Sequence, residues 1–189
     1  MSKLALFISI LFFSISILSA NVLSPDNNKI NIKKILEKYN LAIPKQIDDS
    51  KFFNDKAKPV YLKEFNNKFI ILNFWANWCV ECVNELKSLS NLQKEFDKLK
   101  IIDVEIISVN DNSLDFEKVQ NFYQNNKVNN LKVYFDLSKN LMTEFKVNSP
   151  PTTIFIDKGG KVFAKFNNTY NWSEPLMLNY ILDIKDNNH

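Results

Sequence analysis

No arginine occurs in this 189-residue chain, so all 24 basic side chains are lysines. They are scattered among 21 acids, and the resulting net charge of +3 marks no nucleic-acid partner. Glycine occurs only twice. Turns that need left-handed backbone must therefore use other residues, and asparagine is the next most permissive, as at Asn66-Asn67 and Asn167-Asn168. The one histidine, His189, ends the chain, and with two cysteines it falls short of the about four ligands of a structural zinc site. The largely apolar stretch from Leu4 to Leu18 is shorter than the about 20 residues of a membrane-spanning helix. Cysteine is equally sparse, but both copies stand together, as Trp78-Cys79-Val80-Glu81-Cys82.

One lysine, a short apolar stretch and Ser19-Ala20 make residues 1–20 read as a secretory signal peptide, with an uncleaved N-terminal anchor as the alternative. Either way the remainder is exported. Residues 21–50 form a polar lead segment with one helical pattern, Ile30 to Tyr39. Residues 51–189 suit a single domain with a full core.

Within that domain Phe52-Phe53 and Val60-Tyr61-Leu62 read as short strands, and Phe69 to Trp75 as a buried one. After Cys82, the residues Leu86, Leu89, Gln93, Phe96 and Leu99 recur at helical spacing. Val104 to Val109 suits a central strand, and Ser113 or Asp115 can cap a helix running to about Asn125. Val133 to Phe135 is a short strand and Leu141 to Phe145 a short helix. Thr152 to Ile156 and Lys161 to Phe166 flank the turn Asp157-Lys158-Gly159-Gly160 as a hairpin. A last helix is expected over Ser173 to Ile184. Strands joined through helices lie parallel, and the hairpin adds antiparallel strands. The expected fold is α/β, with a central mixed sheet flanked by helices.

The cysteines fall where a strand ends and a helix begins. Unpaired N–H groups and the positive dipole end favour a thiolate there, and the two-residue gap lets the second sulfur reach the first. A purely structural bridge would close almost no loop and stabilise little. Copper(I) held by the thiolate pair is an open alternative for soft sulfur. A peroxidase is a weaker one, since no Thr-x-x-Cys site appears.

Three passages resemble the thioredoxin superfamily, and within it the exported TlpA/ResA-like thiol–disulfide oxidoreductases. They are Leu72 to Cys82 with Glu85 following, Pro151-Thr152-Thr153-Ile154-Phe155-Ile156-Asp157 with Gly160-Lys161, and Asn171-Trp172. Together they extend over residues 51–184. Four positions depart from the pattern. No proline precedes Cys82, Lys87 stands where a proline is common, Asn67-Lys68 replaces Gly-Lys, and Pro150 precedes the proline the family holds in cis.

The resemblance implies a thioredoxin-like fold and a redox-active disulfide between Cys79 and Cys82. Cys79 would be the attacking thiol, Cys82 the resolving one and Glu85 its proton acceptor. The buried acid of thioredoxin itself is replaced by Asn73, as in the TlpA-like branch. Pro151 would be cis, and Pro150, having no N–H, would offer a substrate chain one hydrogen bond fewer. Trp78 would form part of an apolar docking surface, whereas Trp172 reads as a lid with no chemical part. Glu81 would favour the disulfide form and make the protein a reductant. No cofactor beyond the cysteines is implied. Expected partners are a disulfide-bearing protein substrate, such as an apocytochrome c during its maturation, and a membrane thiol carrier as electron donor. The expected location is the periplasm or the outer face of the cytoplasmic membrane.

Overall fold

All seven side chains from Phe69 to Trp75 are buried, which requires cover on both faces of the strand that carries them. The computed structural model describes residues 50–111 and 115–187. The chain enters as β1 (Lys51–Asn54) and β2 (Pro59–Tyr61), turns through a 3-10 segment at Leu62–Phe65, and runs into β3 (Phe69–Trp75). It continues as α1 (Val80–Leu99), β4 (Val104–Asn110), α2 (Phe116–Asn125), β5 (Tyr134–Phe135) and α3 (Asn140–Glu144). The hairpin β6 (Thr152–Ile156) and β7 (Val162–Phe166) follows, then α4 (Pro175–Asn187). The proposed signal or anchor, the Ile30–Tyr39 helix and Ser113 lie outside the described residues. No helix among the described residues is long and apolar enough to cross a membrane.

The seven strands form one mixed sheet, ordered β2-β1-β5-β4-β3-β6-β7. β3 lies at its centre, parallel to β4 and antiparallel to β6. Alternation along β3 divides its side chains between two cores. Phe69, Ile71 and Trp75 pack with Leu86, Leu89 and Phe96 of α1, Val119 of α2 and Ile181 of α4. Ile70, Leu72 and Phe74 pack with Leu141 of α3 and with Phe145 just beyond it. Asn73 falls on the α1 side by the same two-residue period.

Several boundaries and faces differ from the sequence reading. Leu99 is 48 % exposed, and Leu92, fully buried, completes the α1 stripe that had been assigned to Gln93 and Leu99. β5 begins at Tyr134, α3 begins at Asn140, and α4 begins at Pro175, a residue suited to the first helical position because its missing N–H would be unpaired there. Asp115 caps α2, accepting the Lys118 N–H at 2.9 Å. Of the asparagine pairs only Asn67 is left-handed, at φ 68°; lysine supplies four such positions, Lys100, Lys127, Lys139 and Lys146, and Ala57 another. In the hairpin turn Gly160 takes φ 81°, where a glycine is the unstrained choice.

The end of the molecule at which β4 begins is tied together by ions. Asp103 Oδ2 accepts from Lys158 at 2.7 Å and from Lys185 of α4 at 2.9 Å. Burial pushes the Asp103 carboxyl up, but the two lysines outweigh it and hold it at about 2.

Candidate active site

The cysteines sit at the other end of the sheet, where β3 stops and α1 starts. Cys79 is the cap of α1, its Sγ accepting the Cys82 N–H at 3.2 Å, and the two sulfurs are bonded. A thiolate at Cys79 would keep this donor and gain the helix-end field, both of which favour the charged form. Cys79 is 4 % exposed and Cys82 not at all, so the first cysteine is the more reachable. Trp78 and Val80, 69 % and 78 % exposed, stand out to solvent on either side of it. Glu81 is exposed in the first turn of α1.

The loop between β3 and Cys79 is held at its base. The Asp111 N–H donates to Trp75 O at 3.0 Å, and Asn110 Nδ2 donates to Asn77 Oδ1 at 2.9 Å. Across β3, the register pairs Thr152 with Phe74 and Thr153 with Asn73. Pro151, one residue earlier, thereby reaches the end of β3 that leads to Cys79. The Pro150–Pro151 bond is cis, and both prolines are half-buried.

Glu85 lies one turn beyond Cys82 and is 1 % exposed, so it is no solvent-facing helix glutamate. Asn73 Nδ2 donates to its Oε2 at 3.1 Å, and Trp172 Nε1 donates to its Oε1 at 2.8 Å. Thr153 Oγ1 lies 3.5 Å from Oε1, and the Tyr170 backbone N–H is a fourth donor. Burial pushes the Glu85 carboxyl up from 4.5 to about 7, against the opposing pull of Trp172, Tyr170, Asn73 and Thr153. A carboxyl poised near neutrality inside a protein can take or give a proton at working pH.

Asn73 is the hub. Its Nδ2 also donates to Thr153 Oγ1 at 3.0 Å, and its Oδ1 accepts from Ser108 Oγ of β4 at 3.1 Å. Three strands and α1 thus meet in one buried polar cluster. Trp172 corrects the sequence reading: it is fully buried and donates into this cluster, where a lid had been expected. Thr153 and Ser108 were missed as members. Both Trp172 and Thr153 stand in passages that carried the resemblance, but which groups they touch is set by tertiary contact. Among the described residues no group of three or more His, Cys, Asp or Glu could hold a metal ion.

Known proteins are similar to this chain over most of its described length. The AhpC/TSA family matches residues 43–165. Thiol-disulfide oxidoreductase ResA of Bacillus thuringiensis subsp. konkukian is 33 % identical over 110 residues, 58 % of this chain and 61 % of that protein. Its namesake from Bacillus subtilis is 31 % identical over 129 residues, 68 % of each chain. The match therefore spans 61 % and 68 % of the length of these two relatives. Among solved structures, the pneumococcal exposed lipoprotein thioredoxin Etrx1 of Streptococcus pneumoniae superposes with a TM-score of 0.56 at 26 % identity, covering 74 % of this chain and 99 % of that one. The family match, the Bacillus subtilis relative and the shared architecture together show that the chain belongs to the AhpC/TSA family and has a thioredoxin-like fold.

Proposed function

We propose that the protein is an exported thiol–disulfide oxidoreductase that chiefly reduces disulfides in protein substrates. The observation that carries this reading is the Cys79–Cys82 pair at the start of α1 with Glu85 buried one turn further on. In the reduced protein the Cys79 thiolate attacks one sulfur of the substrate disulfide. A sulfur–sulfur bond forms to Cys79, and the other substrate sulfur leaves as a thiolate and takes up a proton. Cys82 then gives its proton to Glu85 and attacks the Cys79 sulfur, closing the protein disulfide and releasing the second substrate sulfur. Two electrons pass to the substrate. A dithiol donor restores them, and the resemblance supports a membrane-embedded thiol carrier in that role.

The exposed Trp78 and the Pro150–Pro151 segment form the docking surface beside Cys79. Because Pro150 has no N–H, fewer main-chain bonds hold the substrate, and side-chain contacts with a particular partner matter more. The resemblance supports the narrower assignment of an apocytochrome c, whose haem-site cysteines must stay reduced. Location outside the cytoplasmic membrane rests on the reading of residues 1–20. The reductant role rests on Glu81, and a reduction potential near that of a strong disulfide donor, measured against glutathione, overturns it.

The decisive experiment is Cys82→Ala, which should hold the substrate on Cys79 as a mixed disulfide that reductant releases and mass spectrometry identifies. Recovery of no such adduct from cell envelopes, with the variant folded and Cys79 alkylatable, sinks the proposal.

A further inference from the structure

Glu85 is fully enclosed, and its charged form survives there only through the groups that point hydrogens at it. Those groups come from three other parts of the fold: Asn73 from β3, Thr153 from β6, and Trp172 with the Tyr170 N–H from the segment before α4. On α1 itself Cys82 lies one turn away and, bonded to Cys79, holds no proton in this structure. The displacement of its titration comes chiefly from burial, which these hydrogen bonds oppose. The shortest of the side-chain bonds is that from Trp172.

Trp172 cannot move away from this task easily. Its indole packs among Phe155, Phe166 and Tyr170, with ring centroids 5.4, 5.3 and 5.4 Å away. Its backbone N–H donates to Ser88 Oγ at 3.1 Å, and that hydroxyl donates to the Glu85 carbonyl at 2.7 Å. The same helix turn that carries Glu85 thus fastens the segment that carries its donor. Burial obliges the indole N–H to find an acceptor, and the one it reaches is the Glu85 carboxylate, at 2.8 Å.

We propose that Trp172 is a positioning residue for Glu85, its indole N–H orienting the carboxylate and keeping the ionised form attainable inside the core so that it can accept the Cys82 proton. The proposal rests on the exchange reading above and assigns to that reaction a residue far from the cysteines in sequence. Trp172 touches neither sulfur nor substrate in this role and acts through Glu85.

The test is Trp172→Phe, which keeps an aromatic ring against Phe155 and Phe166 and removes the N–H. Loss of a hydrogen bond to a charged group should move the Glu85 titration upward by about one pH unit or more, read by carbon NMR of the carboxyl in the oxidised protein. Resolution of a mixed disulfide should then slow about fivefold or more at pH 7 and recover towards the unsubstituted rate by pH 9. A folded variant whose carboxyl titrates where the unsubstituted protein's does overturns the proposal, as does a rate lowered by one constant factor at every pH. Should Trp172→Phe fold poorly, the unsubstituted protein suffices. The indole N–H resonance of Trp172 should shift with pH in step with the Glu85 carboxyl, and a resonance indifferent to that titration overturns the proposal equally. If the carboxyl moves but the exchange rate does not follow, Trp172 keeps its role towards Glu85 and the assignment of Glu85 as proton acceptor falls.

Discussion

Asn73 and Glu85 meet side chain to side chain at 3.1 Å, one from the middle of the central strand and one from the helix that the cysteines begin. A neutral amide below a buried carboxyl leaves that carboxyl as the only acidic group in the cluster. It can therefore titrate near neutrality without a like charge beside it.

Replacing Glu85 with Gln should slow the resolution step on the order of a hundredfold at pH 8, the usual size of a general-base contribution. The rate of the unsubstituted protein should rise with pH through an inflection near 7, where Glu85 loses its proton. In the variant that inflection should vanish. Stopped-flow measurement of thiol release between pH 5 and 9 checks both, and a retained inflection removes Glu85 from the mechanism.

The same carboxyl should tilt stability against pH. In the unfolded chain it ionises near 4.5, in the folded one near 7. Below pH 4.5 both states hold the proton and the favourable neutral burial is fully present. As pH climbs from 4.5 to 7 the unfolded state gains an ionisation the folded state resists, so stability falls by about 3 kcal/mol and then levels off. Asp111 and Asp136, also pushed up by burial, slope the same way. Asp103, held at about 2, changes nothing above pH 5. Urea denaturation at pH 5 and 8 should show a smaller difference for Glu85→Gln than for the unsubstituted protein; equal differences would refute the linkage.

Asn73→Asp should place a second carboxyl against the first. At pH 8 two like charges would share one buried site, lowering stability by a few kcal/mol, with a smaller loss at pH 5 where one proton can be held between them. Denaturant midpoints at the two pH values decide it, and a pH-independent loss would mean simple disruption of packing.

Lys100→Gly should raise stability by about 0.5–1 kcal/mol, because Lys100 sits at φ 57° after α1, where a Cβ is strained and glycine is not. The urea midpoint should rise with an unchanged slope. A lower midpoint would show that the lysine side chain contributes more than its backbone loses.

Much of this architecture is legible in the residues. Phe69 to Trp75 is apolar enough to demand burial on both sides, and the hairpin around Asp157 to Gly160 carries its own turn chemistry, with Asp157 Oδ1 accepting from Gly159 and Lys161 at 2.9 and 2.8 Å. The cysteine spacing and the strand-to-helix junction likewise declare themselves locally. What periodicity could not reveal is which polar residues turn inward. Glu85 looks like any helix glutamate until Trp172 and Thr153, distant in sequence, close over it. Leu92 and Leu99 are interchangeable by pattern, and only the path of α1 past the sheet buries the first and exposes the second. Lysine in left-handed turns was unreadable for the converse reason: scarcity of glycine removes the usual marker without saying what replaces it.

Trp172 stands three residues ahead of α4, and α4 is anchored to Asp103 by Lys185 at the far end of the sheet. The unit from Phe69 to Leu99 is consequently not autonomous. Grafted into another scaffold, or left behind by truncation after residue 170, it would carry both sulfurs and the glutamate yet arrive without the indole that makes the glutamate's charge tolerable.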